Sequence, residues 1–218
     1  MPHTEYNVAM TRTTPLDGLL RSADNALRAL FASAPVRLPA ALPAEAPLPE
    51  PERQHAAGLM RINHAGEIAA QALYHGQALF ARDERTRQLL LRAAAEEGEH
   101  LAWCETRLRE LGAHTSRLNP FWYAGSFAIG ALAAAISDRL SLGFVSETEK
   151  QVEGHLDQHL QQLPAADARS RSIVESMKAD EIRHGEAARN AGAIELPHAA
   201  QWLMKLTSKV MTSTAYRI

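Results

Sequence analysis

Two short stretches carry the residue types needed for metal chemistry with oxygen and nitrogen ligands. In Asp180-Glu181-Ile182-Arg183-His184, the glutamate and histidine are three apart, so on a helix they share one face about a turn apart. Stepping on by three and four gives Val174, Met177, Glu181, His184, Ala188 and Ala191, a stripe that is otherwise apolar. A carboxylate and an imidazole therefore point where a core belongs, and a buried carboxylate is costly unless it is paired or metal-bound. Glu96-Glu97-Gly98-Glu99-His100 repeats the pattern with Glu97 and His100. One Glu-x-x-His in an alanine-rich helical chain is ordinarily a solvated or salt-bridged turn. Two of them, each in an apolar stripe, fit a dinuclear site inside a helix bundle.

Four long helices must position these groups. Helix A is expected from about Glu52 to Arg82 and helix B from about Glu84 to Leu111, with Gly112 as a C-cap. Helix C lies within Phe121 to Leu163, with no clear start. Helix D runs from about Ala166 to Ala191, with Asp167 as a cap and Gly192 at its end, and Pro197 precedes a last helix over about 198–212. No stretch alternates convincingly enough for a strand.

If A and B form an antiparallel hairpin about position 82, Glu97 lies level with Glu67. If C and D turn at Pro164, Glu181 lies level with Glu147 or Glu149. The stripe Leu142, Val145, Glu149, Val152, Leu156 and Leu163 selects Glu149. Each hairpin thus supplies one lone glutamate and one Glu-x-x-His, all about 22 Å from their turns. Glu67, Glu97, His100, Glu149, Glu181 and His184 form the ligand set of ferritin-like di-iron and di-manganese proteins. The expected fold is all-α: a ferritin-like four-helix bundle of two antiparallel hairpins with a long crossover, plus an N-terminal arm and a C-terminal helix.

Composition narrows the alternatives. The net charge of -2 argues against nucleic-acid binding driven by long-range electrostatics. Cys104 is the only cysteine, so neither an internal disulfide nor a cysteine-rich metal site can form. Met1 to Thr14 has no apolar targeting core, and a cytoplasmic location is the default. Residues 16–31 form a short helical candidate, and the prolines between Ala34 and Pro51 make an extended linker. Residues 1–52 are therefore expected to be an arm with a Pro-rich linker, and 53–218 the bundle with its C-terminal amphipathic helix.

The run from Leu59 through Arg61-Ile62-Asn63-His64-Ala65-Gly66-Glu67 closely resembles the first motif of the demethoxyubiquinol hydroxylases of ubiquinone biosynthesis. Ala72-Leu73-Tyr74-His75-Gly76-Gln77, Glu97-Gly98-Glu99-His100, Glu149 with His155, and Glu181-Ile182-Arg183-His184 extend the resemblance over roughly 55–190. It implies the same six ligands, two iron ions, dioxygen and a polyprenyl benzoquinol substrate whose ring is hydroxylated. It also implies a peripheral place on the cytoplasmic side of the cell membrane. Other ubiquinone-biosynthesis proteins and a second copy of the chain are partners left open.

Histidine ligands usually donate their second N–H to an acceptor. Asp180 and Glu96 are the candidates, and His155 is a further polar group that belongs either near the site or in the core. His64 and Tyr74 fit structural or cavity-lining roles, and Cys104 a small buried thiol. Pro120 to Ser137 is uncharged and apolar, at the short limit for a membrane span, and fits a crossover lying on or dipping into the interface. Trp202, Leu203, Leu206 and Val210, flanked by Lys205 and Lys209, suit an interfacial helix. The competing functions are a ferritin- or rubrerythrin-like ferroxidase or peroxidase, and a metal-free scaffold of a biosynthetic complex.

Overall fold

The computed structural model describes residues 15–31, 43–44 and 47–218. Most of the expected proline linker, and residues 1–14, lie outside the described residues. Among the described residues seven helices follow in order: α1 (Pro15–Phe31), α2 (Glu50–Phe80), α3 (Glu84–Glu110), α4 (Asn119–Ile136), α5 (Asp138–Gln162), α6 (Ala168–Asn190) and α7 (His198–Ala215). No strand occurs among the described residues. α2 with α3 and α5 with α6 form the two hairpins of a ferritin-like bundle.

Local chemistry sets the helix ends. Asp83 caps α3 by accepting from Thr86 N at 2.9 Å, and Asp167 caps α6 by accepting from Ser170 N at 2.9 Å. Gly112 and Gly192 end α3 and α6 at φ 70° and 100°, where a side chain would be strained. Arg107 is fully buried and ties the two hairpins together, donating to Ser170 Oγ at 2.8 Å and Asp167 Oδ1 at 2.9 Å.

The expected single helix within Phe121 to Leu163 is instead two. Ser137 is extended (φ -166°, ψ 152°) and its hydroxyl accepts from Leu140 N at 3.2 Å, so α5 begins afresh there. Asp138 fixes this break to the α2–α3 turn by accepting from the backbone N of Arg82 at 3.0 Å and Asp83 at 2.8 Å. The crossover α4 lies along α2. A Cβ on Gly76 would stand 2.2 Å from Phe127 O, and one on Gly130 would stand 2.2 Å from Leu73 O. The two backbones therefore touch, and only glycine fits at either position. α1 rests against α2 and α4, with Ala29 buried beside Ile68, Ala72, Leu101 and Tyr123.

Two apolar layers fill the bundle. One contains Met60, Trp103, Leu108, Leu156, Ile173 and Met177; the other contains Leu73, Tyr74, Leu90, Leu142, Val145 and Ala188. On each of the four long helices the predicted ligands fall in the gap between these layers. Replacing Gly130 or Gly76 by alanine is expected to lower stability by roughly 1–3 kcal/mol through overpacking. Gly154→Ala, where nothing lies within 4 Å, is expected to raise it by about 0.5–1 kcal/mol. Urea midpoints at unchanged slope measure both.

Candidate metal centre and the cavity beside it

Glu67 comes from α2, Glu97 and His100 from α3, Glu149 from α5, and Glu181 and His184 from α6. All six are buried. Glu67, Glu97, His100 and Glu181 offer ligand atoms within 4.8 Å of one another, as do Glu97, Glu149, Glu181 and His184. Glu97 and Glu181, the glutamates of the two Glu-x-x-His turns, belong to both groups. Glu147, one step off the stripe, instead accepts from Gln151 Nε2 at 2.7 Å.

Both imidazoles turn Nδ1 inward. His100 Nδ1 lies 3.0 Å from Glu97 Oε2 and 3.4 Å from Glu181 Oε1. His184 Nδ1 lies 3.1 Å from Glu97 Oε1 and 3.5 Å from Glu181 Oε2. Both Nε2 atoms face outward onto the expected acceptors, Asp180 Oδ2 at 3.0 Å for His100 and Glu96 Oε2 at 2.8 Å for His184. Arg183 holds the outer pair, donating to both Asp180 and Glu96. His155 makes no such contact; it lines the neighbouring cavity.

The cluster is electrostatically incomplete as protein alone. Glu97 Oε1, both oxygens of Glu149, Glu181 Oε1 and His184 Nδ1 are buried with no aligned hydrogen bond. A buried atom of this kind costs about 1–3 kcal/mol, more when charged. Burial, then the neighbouring Glu97 and Glu181, push Glu67 well above the carboxylate range, and burial with the charge of Glu181 does the same for Glu149. Burial also acts on Glu97, but His100 and His184 outweigh it and hold this carboxyl far below the range. Burial opposes charge on His184, yet Glu181, Glu97 and Glu96 push it up to about 11. His100 is likewise raised, by Asp180, Glu181, Glu67 and Glu97 against the pull of burial. Four carboxylates and two imidazoles with inward lone pairs, and no sulfur, fit hard or borderline first-row cations. The orphaned atoms are where such cations would bind.

Beside the cluster lies a cavity of about 470 Å³ enclosed by α2, α4, α5 and α7. Glu67 is the one clustered carboxylate that reaches it. The rest is largely apolar, with Leu73, Trp122, Ile129, Phe144, Leu156 and Leu203 among the lining residues. Ile129, Leu132 and Ile136 of α4 and Leu203 of α7 both line it and are exposed, which places its mouth between these helices. No helix among the described residues is long and apolar enough to cross a membrane, so Pro120 to Ser137 is a crossover helix and not a span. Sequence reasoning did not find the polar pair inside the cavity, Asn63 and His159. The only signal was the position of Asn63 one turn before Glu67.

Two helical hairpins that bury paired Glu-x-x-His turns at one level define the ferritin-like carboxylate proteins. The family model "Ubiquinone biosynthesis protein COQ7" matches residues 54–215. The chain belongs to this family. It is 57% identical to a protein of Bordetella avium named 3-demethoxyubiquinol 3-hydroxylase, over 94% of this chain and 95% of that one. Proteins of the same name from Polynucleobacter necessarius (53%; 94% and 100% covered) and Stutzerimonas stutzeri (57%; 94% and 97%) are similarly close.

The raised groups set a pH dependence. Folded values above the unfolded ones for Glu67, Glu149 and His184 mean that the metal-free fold holds extra protons. Their stabilising contribution is full below the unfolded values. It is lost as pH rises, from about 4.5 upward for the carboxyls and between about 6.5 and 11 for His184. Metal-free protein is therefore expected to melt at a lower temperature at pH 9 than at pH 6. Metal binding is expected to release protons and to tighten as pH rises. Thermal melts at the two pH values, and calorimetric titration in buffers of different ionisation enthalpy, measure these effects.

Proposed function

We propose that this chain hydroxylates the ring of a 3-demethoxyubiquinol with dioxygen, using two iron ions held by Glu67, Glu97, His100, Glu149, Glu181 and His184. The observation that carries the reading is the junction of the buried cluster with the apolar cavity at Glu67. Storage of iron needs no such cavity, and a scaffold needs no buried carboxylates. Glu67 and His100 in one group, and Glu149 and His184 in the other, would hold the ions together with Glu97 and Glu181, which belong to both groups. Bound iron supplies the activation of dioxygen.

The chain's own residues do the rest. Asp180 and Glu96 accept the Nε2–H of the two histidines, which keeps the lone pair of each Nδ1 facing inward. Leu73, Trp122, Phe144 and Leu156 exclude water and seat an aromatic ring beside Glu67. The mouth between α4 and α7 lets an isoprenoid tail leave toward hydrocarbon. Phe121, Leu132 and Ile136 of α4 and Trp202, Leu203, Leu206 and Val210 of α7 are exposed, and this apolar surface would rest on the membrane. The chain is thus read as a peripheral enzyme that takes its substrate from the bilayer.

Metal analysis and product analysis with a short-tailed demethoxyquinol test the chemistry. Wild type is expected to bind about two iron ions per chain, as dinuclear carboxylate sites do, and to yield the ring-hydroxylated quinol. Glu149→Ala is expected to leave about one ion or fewer, with no product. Asp180→Ala is expected to weaken iron binding by roughly 10–100-fold while the fold persists. Full iron content in Glu149→Ala would remove it from the ligand set. For the membrane, Trp202→Glu combined with Leu206→Glu alters two exposed residues that do not line the cavity. This variant is expected to lose vesicle co-sedimentation about tenfold or more, at unchanged iron content.

A further inference from the structure

Among the polar side chains that interrupt the apolar lining, beside His155, Gln151 and Thr148, are Asn63 on α2 and His159 on α5. Both are buried, and His159 Nδ1 lies 2.7 Å from Asn63 Oδ1. The hydrogen bonds fix which atoms donate. Asn63 Nδ2 lies 3.8 Å from Met60 Sδ, and a thioether can only accept, so the amide nitrogen belongs on that side. The amide oxygen then faces His159 and can only accept, so His159 must carry its proton on Nδ1. Burial, with His155 and His55 nearby, lowers His159 to about 4, so the ring is neutral. Its Nε2 is therefore a bare lone pair, and it makes no hydrogen bond among the described residues. The imidazole borders both this cavity and the polar groove next to it. Asn63 is four residues before Glu67 on one face of α2, about 6 Å along the helix. His159 lies ten residues past Glu149 on α5, about 15 Å along that helix, and Asn63, His159 and Glu67 line the same cavity.

We propose that His159 Nε2 accepts a hydrogen bond from a ring hydroxyl of the substrate, with Asn63 and Met60 locking the imidazole in the tautomer that permits it. This rests on the quinol-hydroxylase reading and adds a recognition rule to it. A quinol hydroxyl can donate to Nε2. A quinone carbonyl, or an ether, presents only lone pairs there. The site therefore selects the reduced ring and anchors one of its oxygens in the cavity that Glu67 also lines. A pair that merely satisfied two buried polar groups would not need an unfilled acceptor on an imidazole that borders the cavity.

The test is equilibrium binding to iron-loaded protein without oxygen, followed by quenching of Trp122, which lines the same cavity. The probes are a short-tailed demethoxyquinol and its dimethyl ether. Wild type is expected to favour the quinol by about tenfold, the worth of one buried hydrogen bond. His159→Leu is expected to bring that preference to within about twofold of unity. The ether's own affinity should stay unchanged, and comparing ratios cancels the ether's extra bulk. If His159→Leu does not fold, His159→Gln is read instead. It keeps an amide for Asn63 but no ring nitrogen at the Nε2 position, and its ratio is expected to fall below about threefold. A folded variant that keeps the wild-type ratio, or weakens both probes equally, overturns the proposal. Wild-type turnover of the demethoxyquinol distinguishes the two levels. Hydroxylation with an unmoved ratio removes only the role of His159, whereas no hydroxylation removes the functional reading itself.

Discussion

Four carboxylates gathered in the dry centre of a helix bundle are a debt that the rest of the molecule is arranged around. Glu67, Glu97, Glu149 and Glu181 cannot all ionise there without cations, because like charges in a low dielectric repel and none can reach water. Protons and the two imidazoles relieve part of the strain, as the raised carboxyls and the raised histidines record. The remaining atoms have no aligned partner. The two apolar layers above and below the cluster make the arrangement tolerable by burying enough surface to hold four helices in register.

Register is the quantity those layers control. Each clustered glutamate and histidine sits between the last side chain of one layer and the first of the other, on four separate helices. A shift of one helical turn would place an aliphatic group at the centre and a carboxylate in the core. The caps at Asp83, Ser137 and Asp167 and the buried Arg107 fix where helices begin and how the hairpins meet. They therefore act on the site from a distance.

The cluster was legible in the sequence because its signal is local. Glu-x-x-His in an apolar stripe needs only helical periodicity, and equal distances from two turns need only a hairpin. Glu149 could be separated from Glu147 because it alone of the two falls in the apolar stripe, although both are buried. Asp180 and Glu96 were readable as neighbours of the two Glu-x-x-His turns. The division of Phe121 to Leu163 into α4 and α5 was not legible, since α4 is apolar almost all round and carries no periodic face to show what it packs against. Nor could α7 be read as a cavity wall: an amphipathic helix has the same pattern whether it covers a core or a membrane. The Asn63–His159 pair joins residues 96 apart in sequence, and no spacing rule reaches across that distance.

Where α2 and α4 cross at Gly76 and Gly130, main chain meets main chain with nothing between. Rotamer changes cannot widen the space there, so α4, which lines the cavity with other residues, is held at a fixed distance from α2. The opposite wall, α7, is pinned near its end by Arg61 donating to Tyr216 O at 2.8 Å and by the Tyr216 ring seated over Gly58. Most of its length is exposed or half-exposed. Tolerance in this chamber is therefore lopsided. Bulk added to a ligand on the α4 side meets Trp122, Ile129 and Leu132 on a helix held in backbone contact with α2, while bulk added toward α7 meets flexible Leu, Met and Thr side chains that open onto the surroundings.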